Sequence, residues 1–426
     1  MVTETLLHFV WKYKLFDTGK LRTQAGEPIS ILQSGIHNFD AGPDFLNARI
    51  KIGNTIWAGH VELHINDSDW EQHGHHRDSA YDTVVLHVVY NDPKKMITNQ
   101  KGETIPTLVL RDYLEDAVLE RYNFLMQSKA WIPCESFLPK LNPVVLSNFR
   151  ERLLIERLEG KNNHIQALLN QTKNDWEQVT YQMLARYFGS SVNREAFESL
   201  AQSLPISVLS KYQGDAIKIE ALLFGQSGLL DSELLDEYPR QLRTEFNYLK
   251  RLHQLTPLHP YGFKFLRLRP SNFPTLRLAQ LAALLAEDTK LFSKIINTSS
   301  MAALHRLFDV KPGSYWHNHY LFDKPSEKVK WHIGKDMKNT LLINVVAPLL
   351  FCYGKYKDEE AYCDRAMALL EAASAERNSI IDGWQTLGVD CMNAAQTQSM
   401  IQLKKEYCDK HKCLHCAVGI SLLKHT

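Results

Sequence analysis

Residues 40–90 read DAGPDFLNARIKIGNTIWAGHVELHINDSDWEQHGHHRDSAYDTVVLHVVY, and the periodicity of this stretch decides the fold. FLNARIKI, residues 45–52, alternates apolar and polar residues as a half-buried strand does. Gly53-Asn54 is a turn signal, and TIWAGHVELHI, residues 55–65, is then the return strand of a hairpin. Two acids, Asp44 and Glu62, fall on these consecutive strands, and six of the 18 His lie between His60 and His87. Successive side chains of a strand point to opposite faces. Glu62 and His64 therefore share one face, and Val61, Leu63 and Ile65 share the other.

Working outward, the apolar face is expected to pack into the core and leave Glu62 and His64 at the accessible edge. Two carboxylates meeting across a hairpin, with backbone carbonyls nearby, form the oxygen-rich setting that a hard cation such as Mg2+ prefers. A solvated hairpin face carrying ordinary polar residues is the competing reading. The surroundings run in a definite order: an amphipathic helix over residues 4–16, strand ISILQSG, the Asp44 strand, the Glu62 strand, a His-rich connection, and strand TVVLHVV.

This order resembles the core of the PD-(D/E)XK nuclease superfamily over about the first quarter of the chain. Pro43-Asp44 matches the P-D half, and Glu62-Leu63-His64 matches E-x-K except that His replaces Lys. The resemblance implies an α+β domain in which Asp44, Glu62 and the backbone carbonyl of Leu63 hold Mg2+ or Mn2+. His64 would orient or deprotonate the attacking water, and the substrate would be a phosphodiester of DNA. The departure at His64 leaves a second reading open, a catalytically inactive nucleic-acid-binding protein that keeps the fold. A third is an enzyme acting on a small substrate through a transition metal held by histidines.

The chain as a whole resembles an uncharacterised bacterial family known as a domain of unknown function, DUF2851. The stretches that carry this likeness are GPDFLNARI, VELHINDSDWEQHGHH, RLRPSNFPTLRLAQLAALL and the C-terminal cysteine motif. That family brings no activity with it.

The rest of the sequence sets the frame. At 426 residues, 44% hydrophobic and 23% charged with a net charge of +1, the chain has room for two or three ordinary globular domains. No apolar run has the length of a membrane span, and the first residues lack the features of a signal peptide. Seven Cys in such a chain point to a reducing cytoplasm rather than a disulfide scaffold. Residues 1–125 carry 12 Lys+Arg against 17 Asp+Glu, and the remainder carries 37 against 31. An acidic metal-holding domain joined to a basic helical one suits a phosphodiester substrate.

The expected domains are 1–127 (nuclease-like), 128–142 (a Pro-rich linker), 143–380 (helical) and 381–426 (cysteine-rich). Asp69, His73, His75 and His76 lie in the polar connection after Glu62 as candidate supporting or phosphate-contacting groups. Zinc is a lesser alternative there, because His73, His75 and His76 are compressed for one rigid element. In the helical part, Arg267, Arg269 and Arg277 surround Pro270, Asn272 and Pro274 at a helix start. They read either as a phosphate clamp or as partners of acidic residues on neighbouring helices. At the end of the chain Cys408, Cys413 and Cys416 form C-x4-C-x2-C, with Cys391 upstream as the preferred fourth ligand for Zn2+ or an iron–sulfur cluster.

Overall fold

The computed structural model describes residues 2–424. The chain is α+β, with one mixed sheet and many helices. It divides into two units: Met1–Phe149 together with Leu403–Thr426, and Arg150–Gln402.

The first unit opens with helix α1 (Glu4–Tyr13), which Thr3 caps by accepting the Leu6 amide on its hydroxyl at 3.2 Å. Leu6, Leu7, Phe9, Val10 and Trp11 are its buried residues. The helix stops short of the expected residue 16 because Lys14 turns left-handed, at φ 51°, and closes the last turn. The sheet is built from β1 (Ile29–Gln33), β2 (Ile36–His37), β3 (Phe45–Ile52), β4 (Thr55–His64), β5 (Val84–Val89) and β6 (Thr107–Val109). Their spatial order is β1-β3-β4-β5-β6, with β2 also pairing β3. β1, β3 and β4 are antiparallel neighbours, whereas β4, β5 and β6 run parallel.

A parallel pair needs a long crossover between its strands. Residues 65–83 supply it as a short helix, α2 (Asp69–Gln72), followed by two tight helical turns. This crossover is pinned from within. Trp70, fully buried, packs with Tyr81, Val84, Ile97 and Ile105, and its indole N–H donates to the Thr98 carbonyl at 3.1 Å. The Asp67 carboxylate accepts the amides of Lys94 and Lys95 at 2.9 and 3.1 Å. Where β4 first meets β5, Gly59 leaves room for bare backbone: a Cβ there would come within 2.4 Å of both the Thr83 carbonyl oxygen and Val85 Cγ1.

Helix α3 (Asp116–Gln127) follows the sheet. The chain end returns to this unit as helix Ala417–Lys424, whose Leu422 carbonyl accepts from Arg121 at 3.3 Å.

The second unit is helical apart from a two-stranded ribbon, His319–Leu321 with Lys324–Pro325. Its central helix, Pro274–Glu287, is buried at every position from Pro274 to Leu285, so it is enclosed on all sides rather than amphipathic. Contrary to the expectation of no apolar run of membrane length, one described helical stretch, Lys335–Lys357, is long and apolar enough to cross a membrane, and 83% of its most apolar window is buried within the fold.

Candidate metal centre

Phe45 pairs with Val61 across β3 and β4, so Asp44 and Glu62 stand opposite each other at the end of the ladder and share a face. Each carboxylate is held by the other strand. The Asp44 amide donates to Glu62 Oε2 at 2.9 Å, and the Leu63 amide donates to Asp44 Oδ2 at 2.9 Å. His8 of α1 reaches the same Oδ2, with Nε2 at 3.1 Å. Asp44 itself lies just before the strand.

The expectation that Glu62 and His64 line an accessible edge does not hold. Glu62 is 4% and His64 2% exposed, because the crossover lies over their face of the sheet. His75 brings Nε2 within 3.2 Å of Glu62 Oε1, and His64 Nε2 stands 3.6 Å from the same oxygen. One ring nitrogen each from His64, His73 and His75 lies within 4.8 Å of the others. His64 and His75 are buried, while His73 is exposed and forms the open side of the cluster. The short turns of the crossover bring His73 and His75 together on one side, which a regular α-helix would not do for residues two apart.

Supporting groups fix these rings. His64 Nδ1 is 2.9 Å from His87 Nε2, and His87 is fully buried on β5. The other nitrogen of the His64 ring, Nε2, faces Glu62. His75 stacks on Tyr81 at 3.8 Å between centroids.

Electrostatics follow from this burial. Desolvation, reinforced by neighbouring imidazoles, pushes His64 down to about 2 and His87 down to about 3, so both rings are neutral at neutral pH. Burial, together with the nearby Asp44 charge, raises Glu62 despite its contact with His75. Burial also acts to raise Asp44, but the hydrogen bond and charge of His8 and the Leu63 N–H outweigh it, and Asp44 is lowered. The same pairing raises His8 against its own desolvation. The site thus combines one firmly ionised carboxylate, one carboxylate short of compensating charge, and the neutral rings of His64 and His87. Neutral nitrogen plus carboxylate is a donor set for a divalent metal, and it suits a borderline transition ion better than one that requires oxygen alone.

The other residues singled out in the sequence fall into three groups. Asp69 accepts the Asn66 amide at 3.0 Å and shapes the turn, while His76 Nδ1 is buried without a hydrogen-bond partner. Leu63 enters through its N–H, the atom that holds Asp44. Arg267, Arg269 and Arg277 belong to the second unit, where Arg277 is buried and the other two are exposed. His8, Tyr81 and Cys134 were not distinguished by the sequence. A single His on an amphipathic helix, or a single Cys in a linker, carries no pattern to read.

Among the cysteines, Cys408, Cys413 and Cys416 are each 7% exposed, and Cys134, at 9%, lies in the same unit. Two tethers join the chain around Cys134 to the C-terminal segment. His411 Nε2 is 3.2 Å from the Ser128 carbonyl oxygen, and Lys404 Nζ lies 5.0 Å from the Trp131 ring centroid. Burial, then the proximity of Cys416 and Cys413, pushes the Cys134 thiol up to about 12. Cys413 is likewise raised to about 12, by burial and by Cys416. Cys391 belongs to the other unit, where its charged neighbours are Arg150 and Asp390. Cys134 is therefore a neighbour of Cys413 and Cys416 within the first unit.

The fold and site define an α+β chain with a carboxylate–histidine cluster at the junction of the antiparallel and parallel halves of its sheet. The chain belongs to the family described as Protein of unknown function (DUF2851), which it matches over residues 4–379. No curated protein and no solved structure matches it.

Proposed function

We propose that the protein is a metal-dependent phosphodiester hydrolase with a nuclease-like first unit, acting on DNA in the cytoplasm. One observation carries this reading: Asp44 and Glu62 oppose each other on one face of a sheet with helix α1 before it and a parallel strand after it. That order of elements supports the PD-(D/E)XK resemblance.

The Asp44 and Glu62 carboxylates would hold the cation, with His75 and His64 presenting nitrogen to the same place. This mixed set favours Mn2+ over Mg2+ among the two ions expected. The bound ion would lower the pKa of a water ligand and neutralise charge on the scissile phosphate. His8 and the Leu63 N–H keep Asp44 ionised and aimed, and His87 holds the His64 ring in position. His64, held near pKa 2, is too weak a base to take a proton at neutral pH, so its role is to hold rather than to deprotonate. His73, on the exposed side, is the residue through which a phosphate would meet the cluster. The test is cleavage of single- and double-stranded DNA and RNA with Mn2+ or Mg2+, comparing the unmodified chain with Glu62→Gln. Salt-sensitive DNA binding without cleavage would instead support the binding-only reading.

A second reading rests on the convergence of His64, His73 and His75. Three imidazoles beside a carboxylate suit Zn2+, and the site would then serve hydrolysis of a small substrate. Stoichiometric zinc that resists replacement by Mn2+, with no action on or affinity for nucleic acid, would favour it.

Apart from this centre, Cys134, Cys408, Cys413 and Cys416 form a candidate closed thiolate site for Zn2+ or an iron–sulfur cluster. It would fasten the end of the chain and take no part in the chemistry.

A further inference from the structure

Arg277 lies in the first turn of helix Pro274–Glu287 and is only 9% exposed. Its Nη1 donates to Gln280 Oε1 at 2.9 Å and its Nη2 to Asn272 Oδ1 at 2.6 Å, both neutral acceptors. Its Nε is buried with no hydrogen-bond partner. The acidic partner that the sequence left open is absent: among the described residues, Arg277 makes no ion pair. Burial pushes its pKa down to about 10, so the guanidinium is still charged at neutral pH. A buried cation with only neutral partners is an expensive arrangement unless an anion completes it.

The space beside it has the matching character. A cavity of about 440 Å³ is lined by Arg277, Arg269, Lys330, His332 and Lys335, with Asp336 as its one acidic residue. Arg269, Lys330 and Lys335 are exposed and make no ion pair among the described residues, so their charge is available to a ligand. The N-terminus of a 14-residue helix adds the positive end of its dipole to the same place. The volume exceeds what a lone phosphate fills and falls in the range of small-molecule sites.

We infer that this cavity of the second unit binds the phosphoryl group of a nucleotide, free or within a polynucleotide strand, with Arg277 as its fixed anchor and Arg269, Lys330 and Lys335 as its rim. Asn272 and Gln280 hold the guanidinium plane in position, so the fork is preorganised for phosphate oxygens. The inference does not depend on the hydrolase reading, because every residue it uses lies in Arg150–Gln402.

The test is calorimetric titration of the full chain, at low salt with EDTA present, using pyrophosphate, dAMP and a short single-stranded oligodeoxynucleotide. Pyrophosphate is expected to bind. The combined substitution Arg269→Gln, Lys330→Gln and Lys335→Gln is expected to weaken it by on the order of tenfold or more while leaving ligand-free melting unchanged. Arg277→Gln should abolish binding if it folds, and the rim variant decides the matter if it does not. Glu62→Gln should bind as the unmodified chain does, which separates this site from the metal centre. Tighter binding of the oligonucleotide than of dAMP assigns the phosphate to a strand, and equal binding assigns it to a free nucleotide. Failure of all three probes to bind, or binding that the rim substitutions leave unchanged, overturns the inference.

Discussion

Asp44 and Glu62 are joined through backbone as well as through charge: the Asp44 amide donates to Glu62 Oε2, and Asp44 Oδ2 accepts from Leu63, the residue after Glu62. The two acids thus close the open end of the β3–β4 ladder, so the residues proposed for chemistry also carry structure. Asp44→Ala leaves the Leu63 N–H without its acceptor and should cost about 1–3 kcal/mol in urea unfolding. Asp44→Asn keeps an acceptor oxygen and should cost less. Equal stability of Asp44→Ala and the unmodified chain would show that the clasp contributes nothing.

Metal affinity should depend on a residue that does not face the metal. His87 Nε2 lies 2.9 Å from His64 Nδ1 and holds that ring in position. His87→Ala should therefore weaken Mn2+ binding by about 10–100-fold, the usual effect of removing an outer partner of a ligating histidine. Titration calorimetry on folded variant measures it, and unchanged affinity would remove His64 from the ligand set.

The thiolate site predicts a contrast between two cysteines. Elemental analysis of protein purified without oxygen should find zinc, or iron with sulfide, in the unmodified chain and in Cys391→Ser. Cys134→Ser should lose most of it. Retention of full metal by Cys134→Ser would exclude that residue as a ligand.

The first unit was largely legible, because a period-two pattern interrupted by Gly53-Asn54 states its own hairpin. The position of Glu62 on the sheet was legible too, but its burial was not. Whether that face meets solvent depends on the path of residues 65–83, and this path is set by Trp70 and Asp67 contacts with residues 84–105, which no local pattern records. The nearness of Cys134 to Cys413 and Cys416 escaped for a similar reason. It depends on where the last segment docks, which sequence spacing does not record. Arg277 showed the limit in the other direction: its place at a helix start was readable, and the lack of an acidic partner was not.

Stability should fall with rising pH through a group that belongs to none of these sites. Glu220, 2% exposed, is pushed up to about 8 by burial, against the opposing effects of the Gly313 N–H and the Trp316 indole. Between its unfolded value near 4.5 and about 8 the folded chain holds a proton that the unfolded chain has released. The stability this group contributes is therefore complete below pH 4.5 and is lost as pH rises to 8, at up to about 1.4 kcal/mol per unit. Glu220→Gln should flatten urea-derived stability over that interval. An identical slope in the variant would assign the dependence to other groups.

The central claim is that the Asp44–Glu62 face supports metal-dependent cleavage of a phosphodiester. The direct measurement is the rate of DNA cleavage by the purified chain with Mn2+, beside Glu62→Gln of verified fold and with EDTA as control. The account predicts cleavage that needs the metal and falls by orders of magnitude in Glu62→Gln, because water activation and phosphate neutralisation both depend on the held cation. Cleavage by Glu62→Gln at the rate of the unmodified chain would contradict it.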